Sequence, residues 1–247
     1  MKMSITASSK IGCVRRKNED MILVDDKFIR NDKHWTMADL DTVDRYMVAL
    51  ADGMGGHNGG EIASSDVLHN LQFFYGDLPS TLSSGDFDEA IFDWLKSINS
   101  ILDAKGRADV QYRDMGTTLV ALAYYNKEFY WMNCGDSRVY RLYDGKLQQI
   151  STDHSLNSMT GDKLHSSIIT NCVGGGCKTS FLDMNNCTDS VKPGDIWMLC
   201  SDGLSDMVDD DEIKRLLLEG ADANMLCDAA IAVGGFDNVS VCVIKIV

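Results

Sequence analysis

The chain is expected to fold as an α+β protein, an antiparallel β-sandwich flanked by helices on both faces in four layers, α-β-β-α. Three observations predict this. Short runs rich in β-branched and aromatic residues fill the middle and the end of the chain. Hairpin signals join neighbouring runs, so the strands pair antiparallel. Several runs are apolar on both faces, so each sheet needs a cover on both sides, and amphipathic helical segments are present to supply it.

The strands are expected at residues 46–51, 117–125, 128–134, 138–142, 146–150, 196–200 and 239–246. Asn126-Lys127 and Tyr143-Asp144-Gly145 are the turns between adjacent runs. Helices follow from the 3.6-residue period. Residues 86–102 place Phe87, Ile91, Trp94, Leu95, Ile98, Ile101 and Leu102 on one stripe, with Asp86 as N-cap and Glu89 three residues on. Residues 61–74 repeat the pattern through Ile62, Val67, Leu68, Leu71 and Phe74. Two further helices, 210–218 and 222–233, end at Gly220 and Gly234. Residues 26–44 carry no readable motif and are expected to form a hairpin and a solvated loop. His34, His69 and His165 are expected to be surface or packing residues.

With 247 residues, 45% apolar composition and two prolines, residues 1–247 are expected to form a single domain. The formal charge of −14, from 37 acids against 23 bases, argues against nucleic acid or an anionic membrane as partner. No stretch approaches the roughly 18 to 20 apolar residues that span a bilayer, and the N-terminus lacks a signal-peptide core, which predicts a cytoplasmic protein. The eight cysteines form no CxxC pair. They are expected to pack as reduced hydrophobes, and structural zinc is not expected.

Four acidic motifs are spread along the chain: Asn18-Glu19-Asp20, Ala51-Asp52-Gly53-Met54-Gly55-Gly56, Ser201-Asp202-Gly203 and Asp237-Asn238. Asp52 and Asp202 each end an apolar run and precede glycine, which lets a backbone carbonyl approach an ion as a carboxylate does. Gathered by the fold, these acids would repel one another, and hard divalent cations with oxygen ligands are the natural compensation.

Taken in order, Gly12-x-Val14-Arg15-x-x-Asn18-Glu19-Asp20, the Asp52 motif through His57, Gly116-Thr117-Thr118, Gly135-Asp136-Ser137-Arg138-Val139-Tyr140, Asp153-His154-Ser155, Pro193-Gly194-Asp195, Cys200 to Asp206 and Asp237-Asn238-Val239-Ser240 resemble the motif series of the type 2C metal-dependent serine/threonine protein phosphatases, in their compact bacterial form. The resemblance runs from Gly12 to the C-terminus. It implies that Asp20, Asp52, Asp202 and Asp237 ligate two Mn²⁺ or Mg²⁺ ions, with the Gly53 carbonyl completing one shell. Glu19 would hold metal-bound water, and Asp136 and Asp206 would join Asp202 around a weaker third ion. Arg15 matches the arginine that grips the substrate phosphate, a task suited to its planar fork.

The implied reaction is hydrolysis of phosphoserine and phosphothreonine by direct attack of a water bridging the two ions. Phosphorylated proteins, a Ser/Thr kinase and its substrates, are the implied partners, and a monomer is expected. Met54 stands where some members carry a histidine proposed as general acid, and that role is not carried over to His57. The stretch between Ser155 and Val173 looks shorter than the flap-bearing segment of most bacterial members. The rival reading is a binding module that keeps the fold without turnover.

Overall fold

The apolar runs pair into two six-stranded antiparallel sheets in the computed structural model, which describes residues 1–55, 59–160, 168–177 and 179–247. In chain order the strands are β1 (Lys2–Lys10), β2 (Met21–Val24), β3 (Lys27–Ile29), β4 (Lys33–Asp39), β5 (Arg45–Ala51), β6 (Gly53–Met54), β7 (Gly116–Thr117), β8 (Leu119–Tyr125), β9 (Glu128–Cys134), β10 (Arg138–Tyr143), β11 (Lys146–Gln149), β12 (Val173–Gly174), β13 (Asp183–Asn186), β14 (Ile196–Cys200) and β15 (Val239–Ile246). The helices are α1 (Gly59–Asp77), α2 (Ser84–Ala108), α3 (Leu156–Thr160), α4 (Asp202–Ser205), α5 (Asp210–Leu218) and α6 (Ala223–Ala232). The first sheet runs β11-β10-β14-β15-β1-β4 and the second β13-β9-β8-β5-β2-β3. A small third sheet, β12-β7-β6, sits beside them.

Side-chain alternation divides the interior into three cores. Ile5, Ile22, Leu50, Leu122, Trp197 and Ile244 fill the space between the two large sheets. The opposite face of the second sheet, with Leu23, Ala49 and Ala121, is covered by Val67, Leu71, Phe87 and Ile98 of α1 and α2. Met198, Val241 and Val243 on the outer face of the first sheet meet Ile213, Leu217, Leu226 and Ala230 of α5 and α6. The layers are therefore α-β-β-α, as the doubly apolar strands require. Burying each such Leu or Ile side chain is worth about 1.5–3 kcal/mol, so three contiguous cores rather than any polar contact supply most of the driving force.

Local turn chemistry places two of the hairpins. Asn126 and Lys127 have φ of 47° and 69°, and Asp144 and Gly145 have 48° and 70°, the paired left-handed residues of a tight turn matching strand twist. Helix α5 is capped by Asp209, whose side chain accepts from Glu212 N–H, and α6 by Asp222, which accepts from Met225 N–H. No helix among the described residues is long and apolar enough to cross a membrane.

Three expectations need correction. Ser83, not Asp86, caps α2: its hydroxyl accepts from Asp86 N–H at 3.2 Å and donates to the Asp86 carboxylate at 2.6 Å. The capping pair begins one turn before the apolar stripe, so polar Ser84 and Gly85 already belong to the helix. Residues 117–125 are two strands, because Thr118 leaves the ladder to bond Asp52. Residues 26–44, expected to form a hairpin and a solvated loop, supply only the second strand of the β2–β3 hairpin and then a seven-residue strand, β4, where a loop was expected. Strand β1 carried no expectation: it lies between β15 and β4, pairing eight residues with the former and seven with the latter.

All eight cysteines are free, and the Sγ atoms of Cys172 and Cys177 lie 3.4 Å apart across a glycine turn. His69 stacks on Phe28 with ring centroids 3.8 Å apart, a packing role. His57 and His165, and residues 161–167 of the stretch expected to be a shortened flap segment, lie outside the described residues.

Candidate active site

The four acidic motifs come together at one end of the sandwich, because the strands that carry them lie side by side. Asp20 precedes β2, Asp52 follows β5, Asp202 follows β14 and Asp237 lies two residues before β15. β2 pairs with β5 and β14 with β15, one pair in each sheet. A hydrogen bond ties the sheets at this point, from Ser201 Oγ to Asp20 Oδ2 at 3.0 Å.

Asp52 and Glu19 are held by backbone contacts from distant segments. Asp52 sits in a threonine clamp: its N–H donates to Thr118 Oγ1 at 3.0 Å, and its carbonyl accepts from Thr118 N–H and Thr117 Oγ1, both at 2.8 Å. Glu19 N–H donates to Asn238 Oδ1 at 2.8 Å. The Asn238 amide in turn donates to the Ile11 and Lys17 carbonyls, stitching the N-terminal loop onto β15. The Glu19 carbonyl accepts from Gly53 N–H at 3.2 Å. At Gly53 a Cβ would lie 2.0 Å from the Gly60 carbonyl oxygen, so only glycine lets α1 pass this close to the Asp52 corner.

Burial and mutual repulsion dominate the electrostatics. Asp20 is fully buried, and desolvation pushes its carboxyl up to about 7, opposed by a hydrogen bond from Ser240 and reinforced by the Asp202 charge. Asp52 is pushed well above the carboxylate range by burial and then by the charges of Asp20, Asp202, Asp136 and Asp237. Burial, then Asp237 and Asp206, raise Asp202 to about 6. Asp136 rises to about 7 through burial and the Asp202 charge. Glu19 is raised chiefly by burial.

All nine residues singled out in the sequence thus meet at one locus: each of Arg15, Glu19, Asp20, Asp52, Asp136, Asp202, Asp206 and Asp237 exerts or feels the field of another, and Gly53 bonds to Glu19. Asp206 is reached through a single helical turn, its N–H donating to the Asp202 carbonyl at 2.8 Å. Arg15 is half exposed, its Nη2 2.5 Å from Asp237 Oδ2, and that hydrogen bond raises its guanidinium pKa further.

The donor set suits a hard divalent cation. It is all oxygen, and Asp20 Oδ1 and Asp202 Oδ1 are buried without a hydrogen-bond partner. Among the described residues, however, no three carboxylates, thiols or imidazoles close into a ready coordination sphere. The Asp237 carboxylate is engaged in the ion pair with Arg15.

Several supporting groups had no motif to mark them. Arg30, in the segment read as solvated, donates to the Asp20 carbonyl at 2.8 Å, the Glu61 carbonyl at 3.0 Å and Ser64 Oγ at 2.8 Å, and pairs with the Glu61 carboxylate at 3.4 Å. Ser64 Oγ also donates to the Glu19 carbonyl. The Arg30→Ala substitution leaves these acceptors unpaired in a mostly buried pocket, and is expected to cost about 2–4 kcal/mol in urea denaturation. The only advance signal was an arginine preceded by apolar Ile29 and followed by Asn31, a residue type that favours turns.

A family profile described as Protein phosphatase 2C matches residues 26–227. The serine/threonine protein phosphatase PstP of Mycobacterium tuberculosis is 32% identical over 255 residues, which include 98% of this chain and 44% of PstP. The chain therefore spans less than half the length of that relative. Protein phosphatase PhpP of Streptococcus pneumoniae is 28% identical over 258 residues, 98% of this chain and 97% of its own. The catalytic domain of PstP, crystallised in complex with two manganese ions, superposes with a TM-score of 0.74 at 30% identity and covers 99% of both chains. The strand-end acids, the four-layer sandwich and these matches agree, and the chain belongs to the protein phosphatase 2C family.

Proposed function

We propose that this chain, acting as one catalytic domain in the cytoplasm, is a metal-dependent protein phosphatase that hydrolyses phosphoserine and phosphothreonine esters. Its partners are then phosphorylated proteins, among them a Ser/Thr kinase and that kinase's substrates. The observation that carries the reading is the convergence of Asp20, Asp52 and Asp202, carboxylates that burial and mutual repulsion hold toward neutrality, with Asp237 beside them in an ion pair with Arg15. A site that disfavours its own charge this strongly favours a compensating cation. Two Mn²⁺ or Mg²⁺ ions bound there would supply an activated water between them and offset charge on the phosphoryl group, with no phosphoenzyme.

The protein's own part is positional. Asp20, Asp52, Asp202 and Asp237, with the Gly53 carbonyl, would hold the pair of ions. Asp136 and Asp206 would extend the site from Asp202 toward a third. Glu19, fixed through its N–H by Asn238, orients water at the edge of the cluster. Arg15 presents its half-exposed guanidinium at the mouth, where a phosphate oxygen would compete with Asp237 for the fork.

The rival is a binding module without turnover, and no acid of the set nor Arg15 is replaced in this chain in its favour. The test is phosphate release from p-nitrophenyl phosphate and from phosphothreonine peptides, with Mn²⁺ and with EDTA. Turnover that needs Mn²⁺ is expected on both substrates. No turnover in excess Mn²⁺ on either would move the chain to the module.

A further inference from the structure

Strand β4 ends the first sheet, and its chemistry is unlike that of a protected edge. Ser9 N–H donates to the Asp32 carbonyl and Leu40 N–H to the Met1 carbonyl. In the antiparallel register that pairs Ser8 with Lys33 and Lys2 with Asp39, these bonds assign the even residues of β4 to β1. The backbone N–H and C=O groups of Lys33, Trp35, Met37 and Asp39 therefore point away from the sheet. Their side chains stand on its outer face, while Ala38 and Leu40 turn into the inter-sheet core. The covering helices reach β1, where Ala223 N–H donates to Thr6 Oγ1, and leave Trp35 62% and Met37 50% exposed. A large aromatic and a methionine side by side on an open strand edge form a pairing template.

The order of residues says what pairs there. Lys33-His34-Trp35-Thr36-Met37-Ala38-Asp39 is complementary to itself when reversed. Two copies related by a two-fold axis at Thr36 would set Trp35 against Met37, and Lys33 against Asp39, twice each. The parity is right, since Trp35 and Met37 carry the outward backbone groups and would exchange four hydrogen bonds across the axis. At both ends the backbone is already engaged, Lys33 N–H by Asp32 Oδ1 and the Asp39 carbonyl by Thr42. There the contact is between side-chain charges of opposite sign, which confines pairing to this register.

We propose that β4 is a homodimer interface, joining the first sheets of two copies into one continuous twelve-stranded sheet by isologous antiparallel pairing. This differs from the monomer expected from the sequence. The net charge of −14 on each copy opposes association, but beyond a Debye length of about 8 Å that repulsion is screened at physiological salt, and the local pairing decides. The site described above is not part of the interface, so the proposal stands apart from the phosphatase reading.

The test is sedimentation equilibrium of the full chain up to about 0.1 mM, a range that detects even weak association. A dimer is expected. Lys33→Glu and Asp39→Lys should each weaken it about tenfold, because two symmetry-related attractive pairs become repulsive. The double variant, Lys33→Glu with Asp39→Lys, should restore it. Hydrogen exchange read alongside should show Trp35 and Met37 amides gaining protection as concentration rises, with Thr36 protected throughout. A chain that stays monomeric, a double variant no better than the singles, or a dimer whose Trp35 and Met37 amides stay open would each overturn the proposal, the last two pointing to another surface or occupant.

Discussion

The Asp52→Asn variant, assayed with saturating Mn²⁺, is expected to release phosphate from a phosphothreonine peptide about a thousandfold more slowly than the parent, the scale of losing a central electrostatic element of a phosphoryl-transfer site. Asp52 is the residue to change because it is the hub of the cluster: the charges of Asp20, Asp202, Asp136 and Asp237 all bear on it. The threonine clamp grips only its backbone, so the amide side chain can be carried without disturbing Thr117 or Thr118. A second readout separates lost chemistry from lost structure. In EDTA the variant is expected to melt higher than the parent, since one mutually repelling carboxylate has become neutral. A variant within tenfold of the parent, or one that melts lower in EDTA, would remove Asp52 from the centre of the proposed mechanism.

Metal-stripped protein is expected to lose stability as pH rises, against the trend common among proteins stabilised by ionised carboxylates. The sign follows from proton counting. Asp20 and Asp136 are raised to about 7 and Asp202 to about 6, and Asp52 also lies well above its ordinary value. Between their unfolded values near 4 and these folded values, the native state holds more protons than the unfolded chain. The stabilising contribution is present below about pH 4 and is lost as pH climbs through 6 to 7. The groups are coupled, so the sum falls short of independent shifts and is on the order of 4 kcal/mol, or about 10 °C in melting temperature for a chain of this size. Thermal melts in EDTA at pH 5 and pH 8 measure it. Adding Mn²⁺ should reverse the trend, because the cation binds the deprotonated carboxylates and stabilises the native state by mass action. A melting temperature in EDTA that is flat or rising from pH 5 to pH 8 would show that the carboxylates are less closely coupled than the fold implies.

The supporting contacts explain why this cluster persists without a partner charge at its centre. Arg30 contributes its charge from beneath, through the Asp20 carbonyl and Glu61, and Arg15 from the mouth, through Asp237. Neither guanidinium hydrogen-bonds the Asp20 or Asp202 carboxylate, whose Oδ1 atoms remain unpaired. The arrangement leaves those oxygens unengaged while keeping the strand ends in place, a division of labour that separates the loop-closing hydrogen bonds from the cluster's carboxylate oxygens.

What the sequence determined by itself is whatever local physics decides. Two-residue turns such as Asn126-Lys127, the amphipathic stripes of α1 and α2, the Asp caps of α5 and α6, and the doubly apolar strands all follow from side-chain periodicity and backbone preference within a few residues. The acidic motifs were legible by recurrence and order, since Asp-Gly at a strand end is by itself an ordinary turn, as at Asp144-Gly145, but it recurs at Asp52-Gly53 and Asp202-Gly203 within one series of motifs. Only the tertiary structure decided which polar segments become strands. Lys2–Lys10 and Lys33–Asp39 have weak local preference and acquire it from pairing, one between β15 and β4 and the other at the open edge. It also decided how the acids are held. The threonine clamp on Asp52, the Ser201 bond to Asp20 and the Arg30 bridge span from 10 to 181 residues of chain. Contacts between groups that far apart carry no periodicity, and exist only once burial of the three cores has brought the strand ends together.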